Sequence, residues 1–354
     1  MKAFGVGLVG YGLAGKAFHG LLIKATKGLE VRAISTSSAE RSAQARADFP
    51  DARVVAGFDE LLQVAGLDAV VLGTPHDTHK DLALRALGRG LHVVTDKIMC
   101  LGVREADQMI EAALRAGKML SVFHNRRWDS DFLTLRACLA ERLVGEPCAI
   151  ESAVLRAGPD ATPAPPPEQR PWRYRADKGG GPFRDWGAHL MDQAMILGGG
   201  MPESVYCDLQ FRRPKLDVET LATCTMRFAS GLRVRIEAGA HSWIQRPRWY
   251  VQGTEGTLKM EGLDPQEAWL RKGEVVARTE RAKFDAAHTE VVKVAGTAPL
   301  EIVPGDYLAF YENIAAVLAG EAALAVTPES CRDVLRVYEA AFESARRNEV
   351  VRIS

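Results

Sequence analysis

The chain has 354 residues, of which 47% are hydrophobic and 25% are charged, and this is enough for two domains with separate cores. Its 45 basic and 45 acidic residues balance, so the composition indicates neither a nucleic-acid-binding protein nor one that binds an anionic membrane. No uncharged apolar stretch reaches membrane-spanning length, and the six cysteines show no metal-like grouping. We therefore expect a soluble, cytoplasmic protein without a metal site.

The first apolar run of the chain leads directly into a glycine-rich turn. Gly10, Gly12 and Gly15 have Gly-x-Gly-x-x-Gly spacing, and a helical pattern follows them. The first glycine permits a tight turn, the second lets a pyrophosphate approach the backbone, and the third lets the helix pack closely on the strand. This pattern predicts a dinucleotide site that includes Leu13 and Ala14. The alternative is a tight turn that binds nothing.

Between residues 4 and 123, short apolar runs alternate with amphipathic helical patterns. Such alternation predicts an α/β fold with a parallel, doubly wound sheet, and the pattern over Arg104–Ala116 places four apolar side chains on one helix face. The candidate strands are Phe4–Val9, Leu29–Ser35, Ala52–Val55, Asp68–Gly73, Leu91–Thr95 and Met119–Phe123. We expect residues 1–123 to form a dinucleotide-binding Rossmann domain.

Beyond residue 124, longer runs with alternating apolar and polar residues replace this pattern. In the run Leu232–His241, apolar residues alternate with Arg233, Arg235 and Glu237, which is typical of a half-buried strand. The other candidate strands are Cys148–Arg156, Val205–Arg212, Thr220–Phe228 and Trp249–Gly253, with helices expected near residues 307–319 and 329–346. Residues 124–354 are therefore predicted to form an α+β domain with a large open, mostly antiparallel sheet.

A proline-dense stretch from Pro159 to Pro171 interrupts this second domain. It is typical of a solvated polyproline loop. The alternative is a lid that carries Arg170, Trp172 and Arg173 over a pocket.

The end of the second predicted strand bears on the choice between NAD and NADP. Folds that prefer NAD place an acid there to bind the ribose 2′-hydroxyl. This chain has Ser35, Thr36 and Ser37 instead, with Arg41 shortly after, and Glu30 lies at the opposite end of the strand. Hydroxyls and an arginine suit a 2′-phosphate because charge-assisted hydrogen bonds favour a dianion, so NADP(H) is predicted over NAD(H). The alternative is a helix cap beside a solvated arginine.

Two further segments carry groups suited to acid–base chemistry. Asp96 and Lys97 follow the fifth strand, and ligands of open α/β sheets lie beyond the carboxyl ends of the strands. In the later run GGGPFRDWGAHLMDQ, a helix would place His189 one turn from Asp192, with Asp185 just ahead of its first turn. The alternatives are a solvated loop lysine, an aspartate that only caps the helix, and a buried core histidine.

Together these motifs resemble the Gfo/Idh/MocA family of sugar and polyol oxidoreductases, over essentially the whole chain. The resemblance rests on the glycine-rich start, Thr74-Pro75-x-x-x-His79, Asp96-Lys97, Gly181-x-x-x-Asp185-x-Gly187-x-His189-x-x-Asp192 and Gly253-Thr254-Glu255-Gly256-Thr257-Leu258. Phe18-His19-Gly20, the run His124–Thr134 and Asp192-Gln193 are most similar to the branch of NADP-dependent scyllo-inositol dehydrogenases. The resemblance implies hydride transfer between NAD(P) and a secondary alcohol or ketone of a cyclic polyol or sugar.

The resemblance also implies a role for each matching residue. Lys97 would hold the reacting oxygen, His189 would move the hydroxyl proton, and Asp185 would position the substrate or orient the imidazole. An imidazole that titrates near neutrality and an ammonium beside a developing oxyanion suit these roles. Thr74, Pro75, His76, His79, Asp96 and Lys97 would belong to the cofactor site. The substrate site would include Asn125, Arg126, Trp128, Trp172 and Arg173. An equally good interpretation of Asn125, Arg126 and Trp128 is a cluster that only packs at the domain junction.

Three further expectations concern a departure from the family motif, the alternative functions and self-association. Asp96-Lys97-Ile98 stands where the family usually has Glu-Lys-Pro, so the proline that favours a cis peptide is missing and a different aim of Lys97 is expected. Redox-assisted cleavage of a glycoside with retained nicotinamide, and a non-catalytic dinucleotide-binding regulator, stay open as functions. Finally, the resemblance suggests a homodimer or homotetramer through the open sheet face, because an uncovered apolar face of that size is rare in monomers.

Overall fold

A computed structural model of the chain describes residues 3–156, 171–213, 215–276, 283, 289–293 and 296–353. Arg170 and, apart from Pro171, the predicted lid lie outside the described residues. The chain divides into two units, of which the first comprises the ranges 1–125, 266–280 and 306–332. The second comprises the ranges 126–265, 281–305 and 333–354.

The first unit is built on a parallel sheet whose strand order is β3-β2-β1-β4-β5-β6. The strands are β1 (Phe4–Val9), β2 (Leu29–Ser35), β3 (Arg53–Val55), β4 (Ala69–Leu72), β5 (His92–Thr95) and β6 (Leu120–Val122). All four side chains of β4 are buried, as expected of a strand that is covered on both faces. This confirms the predicted doubly wound α/β fold. The strand order reverses between β1 and β4, which is where such sheets bind ligands.

Helices of the first unit follow the apolar periodicity of the sequence. In the helix Val103–Ala116, the four buried residues are Ala106, Met109, Ile110 and Ala113, and Gly117 ends the helix with a φ of 60°. The helix after the glycine turn begins with wide π-helical turns over Ala14–Gly20 and continues as Leu21–Ala25. The other helices are Ala39–Asp48, Phe58–Leu61, His79–Gly88, Gln266–Arg271 and Leu308–Leu318, with a short 3₁₀ turn at His76–Thr78.

The sheet of the second unit has the strand order β14-β13-β12-β11-β7-β10-β9-β8-β15 in the described part of the chain. Its strands are β7 (Pro147–Leu155), β8 (Ser204–Gln210), β9 (Leu221–Arg227), β10 (Arg233–Gly239), β11 (Trp249–Gly253), β12 (Gly256–Met260), β13 (Glu290–Lys293), β14 (Gly296–Ala298) and β15 (Val351–Arg352). β7 and β10 pair in parallel, and the other neighbours are antiparallel. The predicted mostly antiparallel sheet is therefore confirmed.

The two faces of this sheet differ in polarity. One face is apolar and buried, and the helix Gly187–Gly198 packs against it at β10. The opposite face carries mostly polar side chains, among them Arg246, which bonds to Glu151 at 2.5 Å and to Glu237. The prediction that the open face is apolar was therefore wrong, because the apolar side chains, which alternate with polar ones along each strand, lie on the covered face. Self-association itself stays a prediction.

Short helices and turns complete the second unit. The helices are Ser130–Ala140, Pro182–Asp185 and Gly187–Gly198, and 3₁₀ turns lie at Trp172–Tyr174 and Ala176–Lys178. The helix Pro328–Arg347 and the 3₁₀ turn Asn125–Trp128 each begin in the first unit and end in the second. Throughout the described ranges, no helix combines the length and the apolar character that crossing a bilayer requires.

Candidate active site

The three glycines of the first turn differ in what surrounds them. Gly10 has a φ of 90°, and a Cβ there would lie 2.6 Å from the carbonyl oxygen of Gly73. A Cβ on Gly15 would collide with the carbonyl oxygen of Gly10. At Gly12, by contrast, the nearest atom to such a Cβ is a guanidinium nitrogen of Arg41 at 3.7 Å. The backbone at Gly12 is thus open, and this geometry fits a bound dinucleotide, whose pyrophosphate approaches the chain at that glycine.

The residues at the end of β2 divide into buried and accessible ones. The side chain of Ser35 is buried, whereas Thr36 is half-buried and Ser37 and Arg41 are exposed. The side chain of Ser38 caps the helix Ala39–Asp48 by accepting a hydrogen bond from the Arg41 backbone at 3.3 Å. The cap residue is thus Ser38 and none of the four predicted cofactor residues. Arg41 has no ion pair in the part of the chain that the structure describes. Its side chain is available for a 2′-phosphate.

His79 links the two loops that follow β4 and β5. Its ring is fully buried, with Nδ1 2.9 Å from the carbonyl oxygen of Ile98 and Nε2 3.0 Å from that of Thr74. Burial lowers the pKa of His79, while the Asp96 carboxylate and these carbonyl groups act in the opposite direction. His76 is also buried, with its ring centroid 5.8 Å from that of His79. The His76 ring thus contacts the His79 ring, and the His79 ring contacts the backbone of Thr74, which precedes Pro75.

The Asp96-Lys97 step lies at the carboxyl end of β5. The Lys97 backbone donates a hydrogen bond to Oδ1 of Asp96 at 2.8 Å, and the Asp96 backbone donates one to Leu72 at 2.9 Å. Both side chains are half-buried. The peptide bond between Lys97 and Ile98 is cis although no proline follows the lysine. The expectation that isoleucine removes this geometry was wrong.

Sequence reasoning gave His19 no role beyond a branch motif. The structure buries it completely, with Nδ1 2.6 Å from the hydroxyl of Tyr311, and its ring centroid lies 4.5 Å from that of Phe123. Burial lowers the pKa of His19 to about 4, although the Asp96 carboxylate raises it. The imidazole is therefore neutral near pH 7 and joins the glycine-rich helix to the helix Leu308–Leu318. The motif Phe18-His19-Gly20 was its one sequence signal.

In the second unit, Asp185 and His189 lie on two consecutive short helices. Asp185 ends the helix Pro182–Asp185, and His189 lies in the first turn of the helix Gly187–Gly198 with 6% of its surface exposed. The Asp185 carboxylate forms an ion pair with Arg173 at 3.6 Å. The N-cap position of the second helix is occupied by Trp186, one residue after Asp185, and the Trp186 side chain forms no capping hydrogen bond.

Glu219 is a residue of this site that sequence reasoning missed. Its carboxylate accepts a hydrogen bond of 2.7 Å from the Phe183 backbone, at the start of the helix that ends in Asp185. Gly181 precedes this helix with a φ of 101°, and a Cβ there would collide with the Glu219 carboxylate. Burial raises the pKa of the Glu219 carboxyl. Glu219 and the glycine thus position the turn that carries Asp185, and no local pattern in the sequence pointed to this acid.

The predicted substrate residues around position 126 are largely buried. Arg126 is 4% exposed, pairs with Asp129 at 3.2 Å and lies 4.1 Å from the centre of the Trp186 ring. Its backbone carbonyl accepts a hydrogen bond from Gln193 at 2.7 Å. This guanidinium is engaged by protein groups, as a packing cluster requires. Of the other two predicted residues here, Asn125 is buried and Trp128 half-buried.

Asp185 also lines a cavity of about 440 Å³ within the second unit. Arg173 and Trp186 line the same cavity, whereas Trp172 lies beside it, with its ring 4.4 Å from the Arg173 guanidinium. Lys97 belongs to the first unit, and Asp185 and His189 belong to the second. Among the described residues, no group of three or more His, Cys, Asp or Glu side chains could hold a metal ion.

Comparisons with known proteins point to one group of enzymes. A family model described as an oxidoreductase family with an NAD-binding Rossmann fold matches residues 4–124, and a GFO/IDH/MocA C-terminal domain model matches residues 132–259. The uncharacterized oxidoreductase YdgJ of Escherichia coli is 35% identical over 96% of both chains. The scyllo-inositol 2-dehydrogenase (NADP(+)) IolW of Bacillus subtilis is 30% identical over 98% of this chain and 95% of its own. The solved structure of the Bacillus subtilis oxidoreductase YvaA, 28% identical, superposes with a TM-score of 0.90 over 100% of this chain and 99% of that one.

Proposed function

We propose that this chain, which belongs to the GFO/IDH/MocA family of NAD-binding oxidoreductases, transfers a hydride between nicotinamide and a secondary alcohol or ketone of a cyclic polyol or sugar. The observation that carries the proposal is the position of Asp185 at a cavity large enough for such a molecule, with His189 in the first turn of the next helix. The name of the relative IolW, an inositol dehydrogenase, supports the substrate class.

In this proposal Lys97 and His189 form the acid–base pair of the reaction. The Lys97 ammonium donates a hydrogen bond to the reacting oxygen and stabilises its negative charge. The His189 imidazole takes the hydroxyl proton during oxidation and returns it during reduction, because an imidazole can both accept and donate a proton. Asp185 orients the substrate. The nicotinamide, when bound, accepts or supplies the hydride with its two electrons.

Substitution of the two proposed acid–base residues tests this mechanism. In Lys97→Met and His189→Ala, turnover should fall at least about 100-fold, because each loses a proton-transfer or charge-stabilising group. Affinity for the dinucleotide, measured by calorimetry, should stay unchanged in His189→Ala, because His189 is not among the proposed cofactor-binding residues. The assay is a screen of inositols, aldoses and glycosides with NADP and NAD, followed by nicotinamide absorbance. Near-normal turnover of His189→Ala would remove the mechanism, and glycoside cleavage without net cofactor change would identify the redox-assisted alternative.

The proposed cofactor is NADP(H), with NAD as a weaker substitute. Thr36 and Ser37 supply hydroxyls after β2, and Arg41 supplies a positive charge beside the open backbone of Gly12. Arg41→Ala should raise the KM for NADP about tenfold and leave that for NAD unchanged, because only NADP carries the 2′-phosphate. Arg46→Ala, at an exposed position later in the same helix, is the matched control. Equal or better wild-type turnover with NAD at matched concentration would refute the preference.

Self-association and location complete the proposal. We infer a homodimer or homotetramer through the polar face of the second sheet, where Arg246 with Glu151 and Glu237 offers paired charges to a second copy. A strict monomer in sedimentation would contradict this.

A cytoplasmic location is supported by the six free cysteines, five of which are buried as small apolar side chains.

A further inference from the structure

The cavity beside Asp185 has more basic than acidic side chains in its wall. The basic residues are Arg156, Arg173, Arg213 and His241, and the acidic residues are Asp185 and Glu219. Both acids are engaged by the protein, since Asp185 pairs with Arg173 and Glu219 accepts a hydrogen bond from the Phe183 backbone. Arg156 has no ion pair within the described ranges, so neither of these acids compensates its positive charge.

Two of these basic residues are held side by side by the backbone. Arg156 directly follows β7, and His241 lies two residues after β10, the parallel neighbour of β7. The Arg156 backbone donates a hydrogen bond of 2.9 Å to Gly239, and the Ser242 backbone donates one of 3.2 Å to Arg156. The sheet thus continues past the ends of both strands and places the two side chains at one rim of the cavity. Arg213 is a third basic residue of the cavity wall, and its guanidinium lies 5.6 Å from the centre of the Tyr174 ring.

His241 and Arg156 have unused hydrogen-bonding capacity. Nε2 of His241 is buried and has no hydrogen-bond partner within the described ranges, which is costly for a polar atom. His241 also has a φ of 66°, a conformation that residues other than glycine rarely adopt. Arg156 is exposed and forms no ion pair with any described residue. A bound group with oxygen acceptors would accept hydrogen bonds from the guanidinium and from an N–H at Nε2 of the ring.

We propose that this rim, formed by Arg156, Arg213 and His241, binds an anionic group of the substrate. The ligand class is then an acidic sugar or polyol, with a carboxylate or a phosphate ester at the rim and its reacting hydroxyl toward Asp185. Guanidinium groups bind both anions through charge-assisted hydrogen bonds. A cavity of about 440 Å³ falls within the range of small-molecule sites. This inference rests on the proposed function and narrows its substrate class.

Calorimetric titration of the full chain with matched sugars tests the proposal. The probes are D-glucose, D-glucuronate and D-glucose 6-phosphate, which share a ring and differ at one carbon. At least one of the two anionic sugars should bind about tenfold or more tightly than glucose, and the better one identifies the group. Arg156→Gln and His241→Asn should each remove most of this difference. Arg212→Gln should preserve it, because Arg212 is exposed, bonds to Gln210 and does not line the cavity.

The outcomes separate this inference from the hydride-transfer proposal. Selective binding that persists in His189→Ala and disappears in Arg156→Gln supports the rim, even if no sugar is oxidised and the proposed function fails. Equal binding of all three sugars overturns the rim, even if a neutral polyol is a good substrate.

Discussion

The guanidinium of Arg127 donates two hydrogen bonds to the carboxylate of Asp192, from Nε to Oδ2 at 2.8 Å and from Nη2 to Oδ1 at 2.6 Å. The side chains are 14% and 4% exposed. Asp192 lies one turn beyond His189 on the helix Gly187–Gly198. The pair therefore anchors the helix that carries the proposed proton-transfer group.

Substitution of Arg127 by alanine should lower the free energy of unfolding by about 3 kcal/mol, because it removes a charge partner from a buried carboxylate. Denaturant titration measures this change. The control is Arg347→Ala, which breaks an ion pair of 2.8 Å with Glu343 whose side chains are 60% and 41% exposed. That variant should lose less than about 1 kcal/mol, since water already solvates both groups. Equal losses in the two variants would contradict the anchoring role of Arg127.

The glycine-rich turn allows binding and folding to be separated by two alanine substitutions. Gly12→Ala should fold with an unchanged Tm, because its nearest neighbour is a flexible guanidinium at 3.7 Å, and should lose dinucleotide affinity by at least about tenfold. Gly15→Ala should instead destabilise the fold, because its Cβ collides with the carbonyl of Gly10. Thermal melting and calorimetry measure the two effects. Unchanged dinucleotide affinity in Gly12→Ala would exclude the turn as the pyrophosphate site.

Local periodicity was sufficient to predict the elements that frame the site. β1 and β2 begin and end at the predicted residues, and the predicted apolar face of the helix Val103–Ala116 is buried. These elements depend on side chains that repeat within one segment, so the sequence displays the pattern directly. The carboxyl ends of the strands, and with them Lys97, followed from the same alternation.

Contacts between distant segments could not be predicted in this way. His19 and Tyr311 are 292 positions apart, and neither segment carries a repeat that indicates the other. Glu219 lies 36 positions from Phe183 and supports it from a neighbouring segment. Arg126 and Arg127 are adjacent in the sequence, and no pattern there indicates which of them pairs with Asp192. In the structure both lie in a 3₁₀ turn, and Arg127 forms the pair.

Glu219 should affect catalysis through the turn that carries Asp185. Glu219→Ala removes the acceptor for the Phe183 backbone, so we expect a loss of about 1–2 kcal/mol in stability and a lower kcat. Glu219→Gln retains an oxygen at the same place and should rescue most of both. A merely structural role would lower stability without changing kcat of the folded fraction. Activity per folded molecule, normalised by circular dichroism, distinguishes these cases.

The buried imidazole of His19 should make the stability of the protein depend on pH. Its pKa is about 4 in the fold and 6.5 in the unfolded chain. Above pH 6.5 the ring is neutral in both states and contributes no slope. As the pH falls from 6.5 to 4, only the unfolded chain takes up the proton, so stability decreases by up to roughly 3 kcal/mol. Below pH 4 both states are protonated and this contribution is constant.

Denaturant titrations between pH 4 and pH 7 measure this slope. His19→Gln should flatten it, although part remains because burial also lowers the pKa of His79. Tyr311→Phe is the matched control, since it removes the hydroxyl that lies 2.6 Å from Nδ1 but keeps the ring buried. It should cost about 1 kcal/mol at every pH and preserve the slope. A full slope in His19→Gln would show that other groups carry the pH dependence, because a glutamine cannot bind the proton that the imidazole binds.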